Sequence, residues 1–232
     1  MVIRLSQRHI LNNIIANSYD LLIFLKKLNL LEDLPPYWWP NYGSFEVVLG
    51  TFLTQNSRWA NVEKSLQNIK EFLQEFDLDD NDLFLEKIAN IDLLIFAELI
   101  KSSGFKNKKA LRIKNFCQNL QYEFTNFSNF QSHVSRSWLL AQQGIGNESA
   151  DSILCYACKK DFMVVDNYTK KLLSYFDYKF NSYQYTKEWL EYGINKNYDK
   201  IVEIYNFEIS LNQIYARMHG KIVEYMKQKD KR

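Results

Sequence analysis

The chain of 232 residues is poor in the residues that punctuate and cross-link folds: seven glycines, three prolines and three cysteines. So few turn-formers disfavour an all-β sandwich, which needs many tight connections. Three cysteines build no disulfide framework and point to a reducing compartment such as the cytoplasm. Long apolar runs are missing too. The most apolar early run, Leu21 to Leu25, meets Lys26 and Lys27, far short of the roughly 20 residues that a membrane span needs. No signal-peptide pattern is visible. Nor is there a large charge of one sign. A net charge of +2 permits nucleic-acid binding only if the positive side chains gather on one face.

What the chain does have is core material. Apolar residues make up 47% and aromatic residues 16%, too much for a disordered chain and enough for one large domain or two small ones. Nearly every segment reads at helical period. Residues 8–31 place Ile10, Leu11, Ile14, Ile15, Leu21, Leu22, Phe24 and Leu25 as one or two amphipathic helices. All three prolines fall in "LPPYWWPNYGS", 34–44, an irregular connection and the best candidate for a domain crossing. Phe45 to Leu53 predicts a helix buried on most sides, with Ser44 as its cap and a polar break at 54–57. Residues 83–100 predict a pair of short helices, 102–120 a glycine turn feeding a basic helix, and 199–227 a long helical stretch. The final "KQKDKR" is expected to fray. The fold class is all-α.

The chemistry gathers in "QQGIGNESADSILCYACKKDFMVVDNYTK", 142–170. Gly144 and Gly146 permit close approaches and backbone conformations that a side chain would block. Ile145 plugs the turn into the core, and Asn147 or Gly146 starts the next helix. Free N–H groups at such a start suit a phosphate; a mere tight turn between helices also fits. Lys106, Lys108, Lys109, Arg112 and Lys114 lie close together beyond Gly104, as a DNA-facing or simply solvated face. Asp166 follows the apolar Met163, Val164 and Val165. It is either the N-cap of the next helix or a carboxylate that stabilises a developing sugar cation or orients water. Cys155 and Cys158 form a C-x-x-C inside a predicted helix with no second ligand pair nearby, so they read as inert core thiols. His9, His133 and His219 share no metal-ligand spacing; no metal site is predicted.

The pairing of "GIGNESADSILCYA" with "VVDNYTKKLL" resembles the helix-hairpin-helix DNA glycosylases of the endonuclease III superfamily, whose signature is a G-[IV]-G hairpin, an A-[DN]-x-[IV] helix and a downstream [VI]-D. "SGFKNKKALRIK" and "FEVVLGTFLTQNSRWANVEKSL" extend the likeness over most of residues 40–225. The resemblance implies two helical lobes with a cleft between them: a six-helix barrel over 41–160 with the hairpin at 137–157, and a lobe from 1–40 and 161–232. It implies Asp166 as the catalytic acid and a flipped target base. It makes Gly144, Ile145, Gly146, Asn147, Lys108, Lys109, Gln55 and Asn56 the DNA contacts, with Gln55 filling the hole left by the flipped nucleotide; polar surface capping is the other reading of Gln55.

Two departures refine the expectation. Members that cleave the strand carry a lysine two residues past the second hairpin glycine. Here that residue is Glu148, and a carboxylate forms no Schiff base, so no lyase activity is expected; Glu148 starts the helix favourably or lines the pocket. Many members also hold an iron–sulfur cluster on four cysteines near the C-terminus. Lys221 stands where the first would be, no cysteine follows Cys158, and the cluster's ligands must be thiolates. No cofactor is therefore expected, although the resemblance allows a monovalent cation on the hairpin carbonyls. Trp38, Trp39, Pro40 and Trp59 form either ordinary core or an aromatic base pocket. An indole favours a cationic, alkylated purine by about 0.5–2 kcal/mol. These features are similar to the 3-methyladenine branch of the superfamily. The expected partner is double-stranded DNA with alkylated bases, bound by a monomer away from any membrane. Oxidised pyrimidines or mismatches as substrates, or a DNA-binding module without catalysis, are the alternatives.

Overall fold

A computed structural model describes residues 15–31 and 37–230. The predicted helical positions at Ile10, Leu11 and Ile14, and His9, lie outside them, as do Leu34, Pro35 and Pro36. Among the described residues there are thirteen α-helices and no strand, so the all-α expectation holds. Among the described residues no helix is long and apolar enough to cross a membrane. The chain divides into two compact units, one of Met1–Trp39 with Lys160–Arg232 and one of Pro40–Lys159.

Helix α1 (Ser18–Lys26) belongs to the first unit, and the Pro40–Lys159 unit holds the helices from Phe45 to the hairpin. It opens with α2 (Phe45–Thr54) and α3 (Trp59–Phe72), separated by the predicted break. Every α2 residue from Phe45 to Leu53 except Glu46 is buried, as its unbroken apolar run requires. Ser44 does not cap it: the Ser44 hydroxyl donates to the Asn41 carbonyl (2.6 Å), and the Phe45 N–H donates instead to Asn81 Oδ1 (2.6 Å). The predicted pair of short helices is α4 (Asn81–Asn90) and α5 (Leu93–Leu99), each begun by an aspartate, Asp80 or Asp92, that accepts two N–H groups of the first turn. Helix α6 (Lys106–Phe124) packs against α2, α4, α5 and α7 (Phe127–His133). Its buried stripe is Lys109, Ala110, Ile113, Phe116, Cys117 and Leu120. Edge-on ring contacts link Phe116 to Phe52 and Phe130, and Phe45 to Phe84 and Phe127. The hairpin helices are α8 (Arg136–Ala141) and α9 (Asn147–Ser152), the latter running on into a π-helical turn, Ile153–Ala157.

The predicted basic helix uses most of its cations internally. The Lys114 ammonium donates to the Ala89 (2.9 Å) and Ile91 carbonyls at the end of α4, a place where a cation is favourable. Lys106 pairs with Glu98. Lys109 is 3% exposed and donates to the carbonyls of Leu53 (2.8 Å) and Ser103 (2.7 Å). Its expected place on a DNA-facing surface is therefore corrected, and Lys108 is the exposed lysine of that turn.

In the other unit α1 packs against α11 (Tyr183–Lys196) and α13 (Leu211–Asp230), and α10 (Asn167–Tyr175) packs against α13. The predicted helical stretch over 199–227 consists of two helices, α12 (Tyr198–Glu203) and α13. Nor does the tail fray where expected: α13 runs to Asp230, which pairs with Lys171, while the Lys229 ammonium sits 5.4 Å from the Tyr225 ring. Helix α13 carries two buried cations one turn apart. Arg217 donates to the Leu31 carbonyl (2.6 Å) and Lys221, 1% exposed, to the Leu30 carbonyl. They meet a turn in which Asn29 and Leu31 have φ of +54° and +62°, a backbone whose carbonyls no helix satisfies.

Burial pushes the Lys109 ammonium down from 10.5 to about 8. Between those values the unfolded chain holds a proton that the folded one has lost, so raising the pH favours folding. The difference in unfolding free energy between the native protein and Lys109→Met is expected to grow in favour of the native protein from pH 8 to 10.5, measured by urea denaturation across that range.

Candidate active site

Asp166 ends the buried segment Met163–Val165 and stands at the N-cap of α10. Its Oδ1 accepts the Thr169 N–H (2.7 Å) and the Thr169 hydroxyl (2.8 Å). The capping reading is thus correct as geometry, but it occupies one oxygen only. The other, Oδ2, lies 3.4 Å from Nε2 of His219 on α13. The side chain is 14% exposed. Burial works to raise its pKa; the hydrogen bond and charge of His219, with the two Thr169 donors, outweigh that and hold the carboxyl below its ordinary value. The acid is an anion at neutral pH.

His219 is also in edge-on contact with Trp38, ring centres 5.6 Å apart, and Trp38 meets Trp39 edge-on at 6.2 Å. Trp38 lies against the α13 backbone at Gly220, where a Cβ would stand 2.5 Å from the indole Cγ; only glycine leaves room for the ring. The Lys227 ammonium lies 5.8 Å from the same indole. The structure therefore brings together Asp166, Trp38 and Trp39, all in one unit, and adds His219, which nothing in its spacing had marked. Pro40 and Trp59 belong to the other unit; Trp59 opens α3 and is half-buried.

That other unit holds the hairpin. Gly144 has φ +88°, which favours glycine, and the Arg112 side chain packs over it, 2.7 Å from where a Cβ would stand. Gly146 differs from expectation: its φ of −99° suits any residue and a Cβ would meet nothing within 4 Å. Ile145 is buried, as predicted. Asn147 and Glu148 are exposed in the first turn of α9, which has no side-chain cap. Gln55, just past α2, donates through Nε2 to the Gly144 carbonyl (2.9 Å) and to Ser149 Oγ (3.2 Å), so Gln55 rests on the hairpin turn. Asn56 beside it is exposed with φ +52°. Two further features escaped the sequence. Arg136 on α8 clamps α9 through the fully buried Asp151 (Nε–Oδ1 2.7 Å) and Asn147 (2.9 Å). Phe105, at the head of α6, is 66% exposed with φ +48°, an aromatic ring held outward on a left-handed residue.

Cys117 and Cys155 are buried and Cys158 is half-buried, and no metal-holding group of three or more His, Cys, Asp or Glu occurs among the described residues.

Comparison with known proteins decides the family. Residues 49–207 match the HhH-GPD superfamily base excision DNA repair proteins. The chain belongs to this family. This HhH-GPD chain is 32% identical over 222 residues to a DNA repair glycosylase of Methanocaldococcus jannaschii, covering 91% of this chain and 89% of that one. The fold superposes on the crystal structure of H. pylori 3-methyladenine DNA glycosylase bound to 1,N6-ethenoadenine with a TM-score of 0.89 and 44% identity, over 92% of this chain and 98% of that one. Endonuclease III trapped on DNA shares the fold, with a TM-score of 0.60 at 16% identity, over 88% and 82% of the two chains. The protein is a base excision DNA glycosylase of the HhH-GPD family.

Removing the His219 contact leaves burial opposed by Thr169 alone, so the pKa of Asp166 must rise. In His219→Phe the Asp166 carboxyl carbon is expected to titrate at higher pH than in the native protein, read by 13C NMR. An unchanged midpoint would show that His219 does not hold the charge.

Proposed function

We propose that this glycosylase hydrolyses the N-glycosidic bond of alkylated purines in duplex DNA, 3-methyladenine foremost, with Asp166 as its catalytic carboxylate and no strand-cleaving activity. The observation that carries the reading is the buried Asp166 anion, one oxygen tied to α10 and the other facing His219, with the indole of Trp38 against that same histidine. The 44% identity to a 3-methyladenine glycosylase supports the choice of base.

A purine alkylated at N3 or N7 carries positive charge. An indole face attracts it by about 0.5–2 kcal/mol, and the base leaves readily because departure neutralises it. As the bond from C1′ to the base breaks, its electron pair goes to the base and the sugar becomes cationic. The carboxylate stabilises that cation. Water then bonds to C1′ and gives up a proton, which Asp166 accepts and passes to solvent. A stacked base is out of reach, so the nucleotide must be extruded. In this reading the hairpin turn at Gly144–Asn147 holds the DNA backbone, with a first turn of α9 that has no capping side chain. Gln55 occupies the vacated space, Phe105 enters the stack as an apolar wedge, and Asn56 and Lys108 add polar and ionic contacts.

Glu148 replaces the amine on which strand cleavage depends, and with no cysteine after Cys158 the chain supplies no thiolate set for an iron–sulfur cluster. Asp166→Asn is expected to lose release of methylated bases by about 10²-fold or more, the scale of removing one transition-state contact, while still binding DNA. Chromatography of bases freed from methylated DNA measures the first, and borohydride trapping should capture no enzyme–DNA adduct with either protein. Full activity in the variant would end the assignment of Asp166. Release of oxidised pyrimidines or mismatched bases in preference to methylated purines would replace the substrate.

A further inference from the structure

The segment that delivers Asp166 has an unusual support. Met163, Val164 and Val165 are buried and belong to no helix or strand, yet buried backbone groups must find partners. Side chains supply them. Glu191 Oε1 accepts the Met163 N–H at 3.1 Å, and the Tyr183 hydroxyl lies 3.4 Å from the Val165 nitrogen. Asn212 on α13 donates to the Lys160 carbonyl. Glu191 and Tyr183 both stand on α11, so this helix takes the place of a neighbouring strand. The Glu191 carboxylate is itself held: it pairs with Lys187, which is buried and whose ammonium sits 4.9 Å from the Phe162 ring. On the other side, Met163 and Val165 are anchored in the apolar core of the unit.

We propose that Glu191 is a positioning residue for catalysis, setting the height of the extended segment through the Met163 N–H and so the place of Asp166. The inference rests on the reading of Asp166 as the catalytic carboxylate. The cap on α10 fixes how the carboxylate turns; the Glu191 bond fixes where the backbone that carries it lies. Glu191 Oε1 is bound to the Met163 N–H and to Lys187, so its effect on Asp166 travels through the backbone. A misplacement of about 1 Å can slow a reaction by about 10²-fold.

Three variants separate the acceptor from the charge. Glu191→Gln keeps an oxygen for the Met163 N–H, Glu191→Leu removes it, and Glu191→Asp draws it back by one methylene. Single-turnover release of methylated base from DNA is measured with each, alongside affinity for duplex DNA and amide hydrogen exchange at Met163. Expected are a loss on the order of 10²-fold in rate for Glu191→Leu, unchanged DNA affinity, faster exchange at Met163, and a Glu191→Gln rate close to native. Should Glu191→Leu not fold, Glu191→Asp carries the comparison, with a slowed rate and native affinity expected. A native rate in folded Glu191→Leu or Glu191→Asp would overturn the proposal, as would Glu191→Gln falling as far as Glu191→Leu. A native protein that releases no base would instead overturn the reading of Asp166, and the role of Glu191 with it.

Discussion

A carboxylate stays ionised away from water only where other donors replace the water it gives up. Asp166 meets that condition with an uneven division of labour. Oδ1 takes the N–H of Thr169, which any N-capping aspartate would use, together with the Thr169 hydroxyl, and Oδ2 faces a histidine from a distant part of the chain. The first pair comes free with the helix start. The second requires α13 to lie where His219 reaches α10, and that packing rests on the core of Leu172, Leu173, Met218 and Ile222. The charge of one acid therefore depends on how the whole unit is assembled. The same stretch of α13 seats Trp38 against Gly220, so the acid and the indole share one support.

Cationic side chains withdrawn from solvent recur across both units: Lys109, Arg217 and Lys221 are buried and Lys114 is half-buried. Lys109, Lys114, Arg217 and Lys221 all point their charged ends at main-chain carbonyls where helices or turns finish. A long aliphatic stem lets the side chain cross apolar surroundings and satisfy an acceptor beyond them. Each such bond removes an unmet carbonyl, whose burial would cost about 1–3 kcal/mol. Few prolines and glycines are available here to end helices cleanly, and cationic side chains do that work from a distance.

This explains what could and could not be read in advance. Helices with a strict apolar stripe, such as Phe45 to Leu53 or the buried face of α6, were legible because burial repeats at the helical period. The hairpin was legible because a left-handed turn demands glycine at Gly144. The basic helix was misread. Charge in a sequence suggests surface, and nothing local distinguishes Lys109, which ends on a carbonyl 56 positions away, from the exposed Lys108. Ser44 is the local candidate for the cap that Asn81 supplies, since local rules cannot see an acceptor brought by another helix. His219 and Glu191 escaped for the same reason: their partners are set by packing, not by spacing.

The hairpin poses the last physical question, the presence of an acid at its mouth. Glu148 lies in the first turn of α9, exposed, where the helix dipole favours a negative charge by about 0.3–1 kcal/mol. A phosphate held at the same turn would feel that carboxylate as repulsion. The neighbouring charges bear on the balance. Arg112 packs over Gly144, and Arg136, bound to Asp151 and Asn147, lies on the α8 side of the turn. On the proposed reading, losing the lysine at this position removes both a nucleophile and a positive charge. DNA affinity must then rest more on backbone N–H groups and on side chains that enter the stack, and less on counterion release, so its dependence on salt should be shallow for a protein that holds a charged polymer.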